Sequence, residues 1–154
     1  MKKYIGTKII EAELALRVTG KDFTKRVQPV DQPVSVNDEV ELGYRVRYAD
    51  GYESWSPKEV FEEAYRPTDG MSFGLAIEAA KKGKKIARRG WNGKGQYVEL
   101  ATNISYIAPD GAVVNPDHEA IGNKVLAFCG TSGVQLGWLA SQADMLADDW
   151  VIVE

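Results

Sequence analysis

Residues that commonly carry enzymatic chemistry are scarce in this sequence. The single histidine, His118, ends the polar turn Asn115-Pro116-Asp117-His118, and the single cysteine, Cys129, lies in an apolar run. A serine or cysteine nucleophile needs a positioned base, which is most often histidine. The adjacent carboxylates Asp148 and Asp149 are interpreted as solvated groups near a helix end, and the sequence contains neither a Walker loop nor a GxGxxG motif. We therefore expect a protein that is not an enzyme and that has neither a metal site nor a cofactor.

A glycine-rich loop is the segment that most suggests binding chemistry. The run Arg88-Arg89-Gly90-Trp91-Asn92-Gly93-Lys94-Gly95 places a tryptophan among glycines and basic residues. An indole ring offers a flat face on which a base can stack, arginine suits phosphate, and an asparagine amide both donates and accepts hydrogen bonds. The same residues could form an ordinary hairpin turn in which Trp91 covers a core, and on the loop alone that alternative is the stronger one.

A second group of candidate residues lies between two tryptophans near the end of the sequence. Trp138 comes just before a predicted helix start, a common place for the wall of a pocket, and Asp144 could accept hydrogen bonds from sugar hydroxyls. Ser141 is interpreted as the N-cap of that helix. Trp150 begins an apolar strand, which favours a structural role.

Composition and charge limit the classes of function. The chain has 154 residues, of which 44% are hydrophobic and 27% charged, as is typical of a folded globular protein. Its net charge of −3 argues against a whole-protein electrostatic grip on nucleic acid. No run approaches the roughly 20 apolar residues of a membrane span, and Glu11 and Glu13 interrupt any signal-peptide core, so neither membrane insertion nor secretion is expected.

Basic residues are concentrated in one part of the second half. Seven of them lie between positions 81 and 94, namely Lys81, Lys82, Lys84, Lys85, Arg88, Arg89 and Lys94. Such a cluster can hold a phosphate-bearing ligand. The alternative is a solvated helix end, because lysines near a helix C-terminus oppose its dipole.

Local signals divide the chain into two small domains. The polar run Arg66-Pro67-Thr68-Asp69-Gly70 combines a proline and a glycine, which predicts a linker over residues 67–70. Residues 1–66 are predicted to form a strand-rich leader domain that ends in a helix, and residues 71–154 an α+β ligand-binding domain. The expected fold class is α+β, with small antiparallel β-sheet domains that each carry one or two short helices.

In the first segment we predict a strand over 4–13 and a long loop over 19–41 that could hold a short strand. A hairpin is predicted about Asp50-Gly51, because alternating residues flank a strong turn signal. A helix follows over 57–65, with Ser56 as its N-cap.

In the second segment a helix is predicted over 73–82, capped by Ser72 and ended by Gly83. Strands 84–88 and 96–101 are predicted to pair through the tryptophan loop. The remaining predicted elements are a hairpin about 109–111, strands 125–128 and 134–137, a helix over 142–147 and a final strand over 150–153.

Two parts of the second segment resemble a known family. The residues Met71-Ser72-Phe73-Gly74-Leu75-Ala76-Ile77-Glu78-Ala79, followed by Gly83–Lys94, are similar to the opening of the second type of Thoeris anti-defence protein, which occurs in phages and prophages. The run Trp138–Trp150 is similar to its closing motif, so the resemblance covers about 71–154. Members of that family bind cyclic ADP-ribose signals made by bacterial TIR-domain enzymes and hold them without degrading them. Some also bind cyclic dinucleotides, and they form homo-oligomers, usually tetramers, with ligand pockets between subunits.

The resemblance implies a ligand, an assembly and a set of site residues. The ligand would be of the cyclic ADP-ribose or cyclic dinucleotide type, bound by a homo-tetramer in the cytoplasm of the infected bacterium, with neither a membrane nor a nucleic acid as partner. Trp91, Trp138 and Asp144 match family positions that line the pocket, and Arg89 and Asn92 adjoin them. The predicted ligand-binding residues are Trp91, Asn92, Arg89, Trp138, Asp144, Phe73 and Arg88.

Two other classes of function stay open at this point. A single-stranded nucleic-acid module could use the same basic and aromatic loop, and its affinity would fall steeply with salt. A phage structural or interaction protein would keep its tryptophans in the core and bind no nucleotide. Residues 1–66 resemble a leader domain found in some phage proteins, and the sequence assigns it no function.

Overall fold

The computed structural model describes residues 1–117 and 124–154, so His118 lies outside the described residues. The chain divides into two compact units, Met1–Arg66 (unit 1) and Pro67–Glu154 (unit 2). Both units combine antiparallel β-sheet with short helices, which confirms the predicted α+β class.

Unit 1 is a four-stranded antiparallel sheet followed by a helix. Its strands are β1 (Glu11–Thr19), β2 (Lys25–Pro29), β3 (Glu39–Arg47) and β4 (Glu53–Pro57), in the order β2-β1-β3-β4, and the helix is α1 (Lys58–Ala64). The hairpin predicted about Asp50-Gly51 joins β3 to β4, and Gly51 takes the positive φ of 85° that this turn requires.

The two faces of β3 pack differently, as the alternation of its residues predicts. Val46 is only 2% exposed, and the ring of Tyr44 stacks on Phe61 of α1 with 4.1 Å between centroids. On the other face Arg45 pairs with Glu13, and Arg47 pairs with Glu53. The helix and one face of the sheet therefore form the core of this unit.

Two features of unit 1 differ from the sequence prediction, and a third differs in part. The first strand begins at Glu11 rather than at Tyr4, since it pairs with β3 from Glu11 opposite Arg47 onward. Ser56 is not an N-cap. Strand β4 continues through Pro57, which pairs with Gly43, and α1 begins without a side-chain cap. The predicted loop 19–41 does contain one short strand, β2, as the prediction allowed, but β3 begins at Glu39, before the predicted end of the loop.

Unit 2 contains a five-stranded antiparallel sheet with short helices. Its elements are α2 (Phe73–Lys81), β5 (Lys85–Arg88), β6 (Tyr97–Ala101), β9 (Val125–Gly130), β10 (Gly133–Leu136), α3 (Gln142–Met145) and β11 (Trp150–Val153). The strand order of the sheet is β10-β9-β6-β5-β11. The predicted hairpin about 109–111 is a separate two-stranded sheet of β7 (Tyr106–Ile107) and β8 (Val113–Val114).

Local capping residues determine where the two helices α2 and α3 begin. The hydroxyl of Ser72 accepts a hydrogen bond from the Leu75 amide, and Gly83 follows α2 with a φ of 84°, so both predicted ends are confirmed. Ser141 caps α3 and forms a reciprocal capping box with Asp144. Helix α3 is shorter than predicted, because it ends at Met145.

The core of unit 2 lies between α2 and one face of the sheet. Its buried members are Met71, Ala76, Ala79, Ala80, Ile86, Val98 and Trp150. Residues 67–70 also attach to this unit, since the Thr68 carbonyl accepts a hydrogen bond from the Ile152 amide. Within residues 1–117 and 124–154, none of the helices is long and apolar enough to cross a membrane.

Candidate site around Trp91

The loop between β5 and β6 directs Trp91 into a cluster of aromatic rings. The Trp91 ring lies edge-on to three others, with centroid distances of 5.7 Å to Phe128, 6.0 Å to Trp138 and 5.5 Å to Trp150. Trp150 is fully buried, whereas Trp91 and Trp138 are half-buried. The cluster thus joins the core to the surface, and the two half-buried tryptophans form its outer part.

Asp144 accepts hydrogen bonds from the polar groups around this ring cluster. Its Oδ1 accepts hydrogen bonds from Trp91 Nε1 at 3.2 Å and from Arg88 at 3.0 Å. Its Oδ2 accepts from the amide and the hydroxyl of Ser141, at 3.1 Å and 2.8 Å. The backbone carbonyl of Asp144 also accepts a 2.8 Å bond from Trp150 Nε1. One residue at the start of α3 therefore fixes two of the tryptophans.

Arg88 connects two carboxylates at the base of the loop. Its guanidinium donates to Asp144 and, through Nε at 2.9 Å, to Asp149. The second carboxylate oxygen of Asp149 accepts a 2.9 Å hydrogen bond from the Gly90 amide. A Cβ on Gly90 would lie 3.0 Å from that oxygen, so a residue without a side chain allows the close approach.

These contacts keep both carboxylates ionised. Burial by itself raises the pKa of the Asp144 carboxyl, but hydrogen bonds from Ser141, Arg88 and Trp91 outweigh burial and hold that pKa below its ordinary value. The hydrogen bond from Arg88, helped by the Gly90 amide, lowers the pKa of Asp149. Asp149 and Asp144 in turn raise the pKa of the Arg88 guanidinium.

The outer part of the loop is exposed and basic. Arg89, Asn92 and Lys94 all lie at the surface. The Arg89 guanidinium donates a hydrogen bond to the backbone carbonyl of Asp69. Among the described residues no acidic side chain forms an ion pair with Arg89. This exposed edge, beside two half-buried indoles, can contact both an aromatic base and a phosphate.

Trp138 and Phe73 reach the cluster from different elements. The Trp138 amide donates to the Leu126 carbonyl at 2.9 Å, which fixes the chain after β10 against β9. Phe73, the first residue of α2, lies 5.5 Å from the Trp150 ring. Five predicted site residues therefore share one network or ring cluster, namely Arg88, Trp91, Trp138, Asp144 and Phe73, while Arg89 and Asn92 lie on its exposed side.

Three participants were not predicted as site residues. Asp149 was interpreted as a solvated carboxylate, yet it binds Arg88 and Gly90. Trp150 was expected to be structural, and its position at the centre of the rings agrees with that interpretation. Phe128 packs on Trp91 from β9, where the continuous apolar run predicts a strand but does not indicate which of its residues face the rings.

The groups that this arrangement leaves exposed are mainly aromatic and basic. Both carboxylates are occupied by donors within the protein, and Cys129 follows Phe128 on β9, so its side chain points to the opposite face of the sheet. Among the described residues, no cluster of three or more histidine, cysteine or acidic side chains could hold a metal ion. The fold and the site thus define a small α+β domain with an aromatic and basic surface.

Comparisons with known proteins place this domain in a family. Residues 71–153 match the Tad2-like family, described as the Thoeris anti-defense 2-like domain. The chain is also 35% identical over 88 residues to "Thoeris anti-defense 2" of Bacillus phage SP01, an alignment that covers 54% of this chain and 94% of that protein. The chain therefore belongs to the Thoeris anti-defense 2-like family, and the resemblance inferred from the sequence is confirmed.

Proposed function

We propose that this protein opposes the Thoeris defence by binding a cyclic ADP-ribose-type signal and holding it unchanged. The observation that carries the proposal is the family match over residues 71–153, which supports an anti-Thoeris role and coincides with the unit that contains the Trp91 site. Binding and sequestration go further than the family name and rest on the chemistry of the site.

The groups around Trp91 suit the parts of such a ligand. A cyclic ADP-ribose carries a purine, two riboses and a pyrophosphate. The half-buried rings of Trp91 and Trp138 can stack on the base, while Arg89 and Asn92 can bind phosphate and sugar oxygens from the exposed side. A cyclic dinucleotide presents the same kinds of groups, so it is a second ligand of the same class.

The ionisation of the carboxylates supports binding without turnover. A general acid at neutral pH needs a proton, and an effective general base has a pKa near the working pH. Hydrogen bonds instead hold the pKa values of Asp144 and Asp149 below the ordinary range. Both groups are therefore better suited to hold the loop than to cleave a pyrophosphate or glycosidic bond.

A homo-oligomer, for which we propose a tetramer, would complete the site. Nanomolar affinity requires about 12 kcal/mol, whereas stacking supplies about 1–3 kcal/mol per base, so enclosure of the ligand is needed. Apolar side chains near the cluster are uncovered in the single chain, with Leu139 89% and Leu146 78% exposed. A second subunit over this surface would bury them and shield the ligand from water.

Two matched arginine variants test the proposed binding site. Arg89 and Arg66 are both exposed and both donate to backbone carbonyls, but Arg66 belongs to unit 1. We expect Arg89→Gln to weaken binding of cyclic ADP-ribose by about tenfold, the value of one charged hydrogen bond, and Arg66→Gln to leave it unchanged. If calorimetry gives equal affinities for the two variants, Arg89 does not contribute to ligand binding.

Salt dependence separates the proposal from binding of single-stranded nucleic acid. An oligonucleotide that contacts many phosphates loses affinity steeply as salt rises. A small ligand with one pyrophosphate loses far less. We expect a shallow salt dependence for cyclic ADP-ribose and negligible binding of a single-stranded oligonucleotide.

A further inference from the structure

Asp149 contacts each of the three residues that lead into Trp91. Its Oδ1 accepts a 2.9 Å hydrogen bond from Arg88 Nε, and its Oδ2 accepts one of 2.9 Å from the Gly90 amide. Its backbone carbonyl accepts a third, of 3.1 Å, from the Arg89 amide. A single residue immediately before β11 therefore holds the chain that leads into the tryptophan.

The same residue acts on Trp91 through a second route. Arg88, held by Asp149, donates at 3.0 Å to Asp144 Oδ1, and that oxygen also accepts the Trp91 indole N–H. The side chains of Arg88 and Asp144 are 20% and 14% exposed, so water competes weakly for these bonds. Both the backbone and the indole of Trp91 are thus oriented by groups that Asp149 holds.

We infer that Asp149 is a positioning residue for the ligand site and that it acts on Trp91 through Arg88, Gly90 and Asp144. This inference rests on the proposed function for its ligand. Asp149 keeps the loop in the conformation that presents Trp91 and Arg89, so binding does not have to order the loop.

The charge of Asp149 makes the inference distinguishable from a simple electrostatic effect. Removal of a negative charge near the site strengthens the attraction for an anionic ligand. Loss of positioning weakens binding. The two explanations predict opposite changes in affinity for Asp149→Asn. Arg88 and Gly90 donate to different oxygens of Asp149, and in asparagine one of these oxygens becomes an NH₂ group that only donates, so one of the two bonds is lost.

Asp148 provides a matched control. It is adjacent and exposed, and no hydrogen bond or ion pair joins its side chain to another residue within 1–117 and 124–154. Asp148→Asn therefore removes the same charge from nearly the same place without disturbing the loop. Gly90→Ala is an independent second variant, because its Cβ would press on the Asp149 carboxylate.

The test measures binding and the state of Trp91 separately. Calorimetry with cyclic ADP-ribose, below the unfolding temperature of each variant, is expected to give about tenfold weaker binding for Asp149→Asn. Gly90→Ala is expected to bind more weakly as well, and Asp148→Asn to bind at least as tightly as the unaltered protein. In ¹H–¹⁵N spectra the Trp91 indole resonance, assigned with Trp91→Phe, is expected to move in Asp149→Asn but not in Asp148→Asn.

Unchanged or tighter binding by Asp149→Asn, with an unmoved Trp91 resonance, would overturn the inference. Equal weakening by Asp148→Asn would also overturn it, since the effect would then be one of charge alone. If the unaltered protein binds no cyclic ADP-ribose, the proposed function fails, and the indole resonance still decides whether Asp149 positions Trp91.

Discussion

The indole N–H of Trp91 donates a 3.2 Å hydrogen bond to Asp144, which lies 53 residues further along the chain. This bond connects the loop after β5 to the first turn of α3. Local sequence places each partner, because Trp91 lies within the glycine-rich loop after β5 and Asp144 completes the capping box of α3. The bond therefore ties two locally determined segments into one site.

Substitution of Trp91 is expected to affect both folding and binding. The ring packs against three aromatic neighbours, so Trp91→Ala should cost about 2–3 kcal/mol of unfolding free energy and also abolish stacking. Trp91→Phe keeps part of the packing and removes the N–H bond, at a cost of about 1 kcal/mol. Urea unfolding and ligand titration of both variants measure these effects.

Trp55→Phe is the control for those variants. Trp55 is the tryptophan of unit 1, and its indole N–H donates to the Ala15 carbonyl at 3.4 Å. Its substitution should leave ligand affinity unchanged. A loss of affinity equal to that of Trp91→Phe would show that the effect does not come from the site.

Acid is expected to destabilise unit 2 through Asp144 and Asp149. Both pKa values are lower in the folded state than the value of about 3.9 for an unfolded aspartate. The stabilisation is therefore complete above that value and is lost as pH falls through the folded-state pKa values. Between pH 7 and pH 2, the melting temperature of Asp149→Asn should fall less steeply than that of the unaltered protein. Parallel curves for the two proteins would show that the Asp149 carboxylate does not stabilise the fold.

Two glycine substitutions are expected to act in opposite directions. A Cβ at Gly43 would clash with the Ser56 carbonyl oxygen and lie 2.5 Å from the Trp55 ring, so Gly43→Ala should destabilise unit 1 by about 1–3 kcal/mol. Gly74 lies in α2 with open space around it, so Gly74→Ala should stabilise unit 2 by about 0.5–1 kcal/mol. Calorimetric unfolding of each variant checks both signs, and a stable Gly43→Ala would disprove the described packing of Trp55.

The proposed assembly predicts a mass four times that of the single chain. Light scattering at tens of micromolar should show this species, because burial of Leu139 and Leu146 favours association. Leu146→Ser should shift the distribution toward smaller species. A monomer at that concentration would contradict both the tetramer and a site enclosed between subunits.

Elements with local signals could be predicted from the sequence. Helix α2 has its serine cap and its terminating glycine immediately beside its two ends, and the Asp50-Gly51 hairpin carries its turn residues between alternating strands. The start of β1 could not be predicted in this way. Residues 4–10 have strand-like composition, but pairing with β3 extends only to Glu11.

Long-range polar contacts were the least predictable part of the site. Trp91, Arg88 and Asp144 could be predicted from the sequence, because an indole can stack on a base, a guanidinium can bind phosphate and a carboxylate can accept hydrogen bonds from hydroxyls. The sequence did not indicate that Asp149 contacts Arg88 across 61 positions, since β11 pairs with β5 only in the folded sheet. The sequence of two adjacent aspartates is the same whether their side chains face solvent or a guanidinium, so it does not reveal the partner.

Recovery of the ligand after capture tests the central claim most directly. The protein is incubated with the cyclic ADP-ribose product of a TIR enzyme, free ligand is removed by filtration, and the bound fraction is released by heating and identified by mass spectrometry. We predict capture that saturates at a fixed number of ligands per oligomer, followed by release of the intact cyclic molecule in an amount independent of incubation time. Recovery of linear ADP-ribose that increases with incubation time would contradict the account, because it would show turnover by an enzyme.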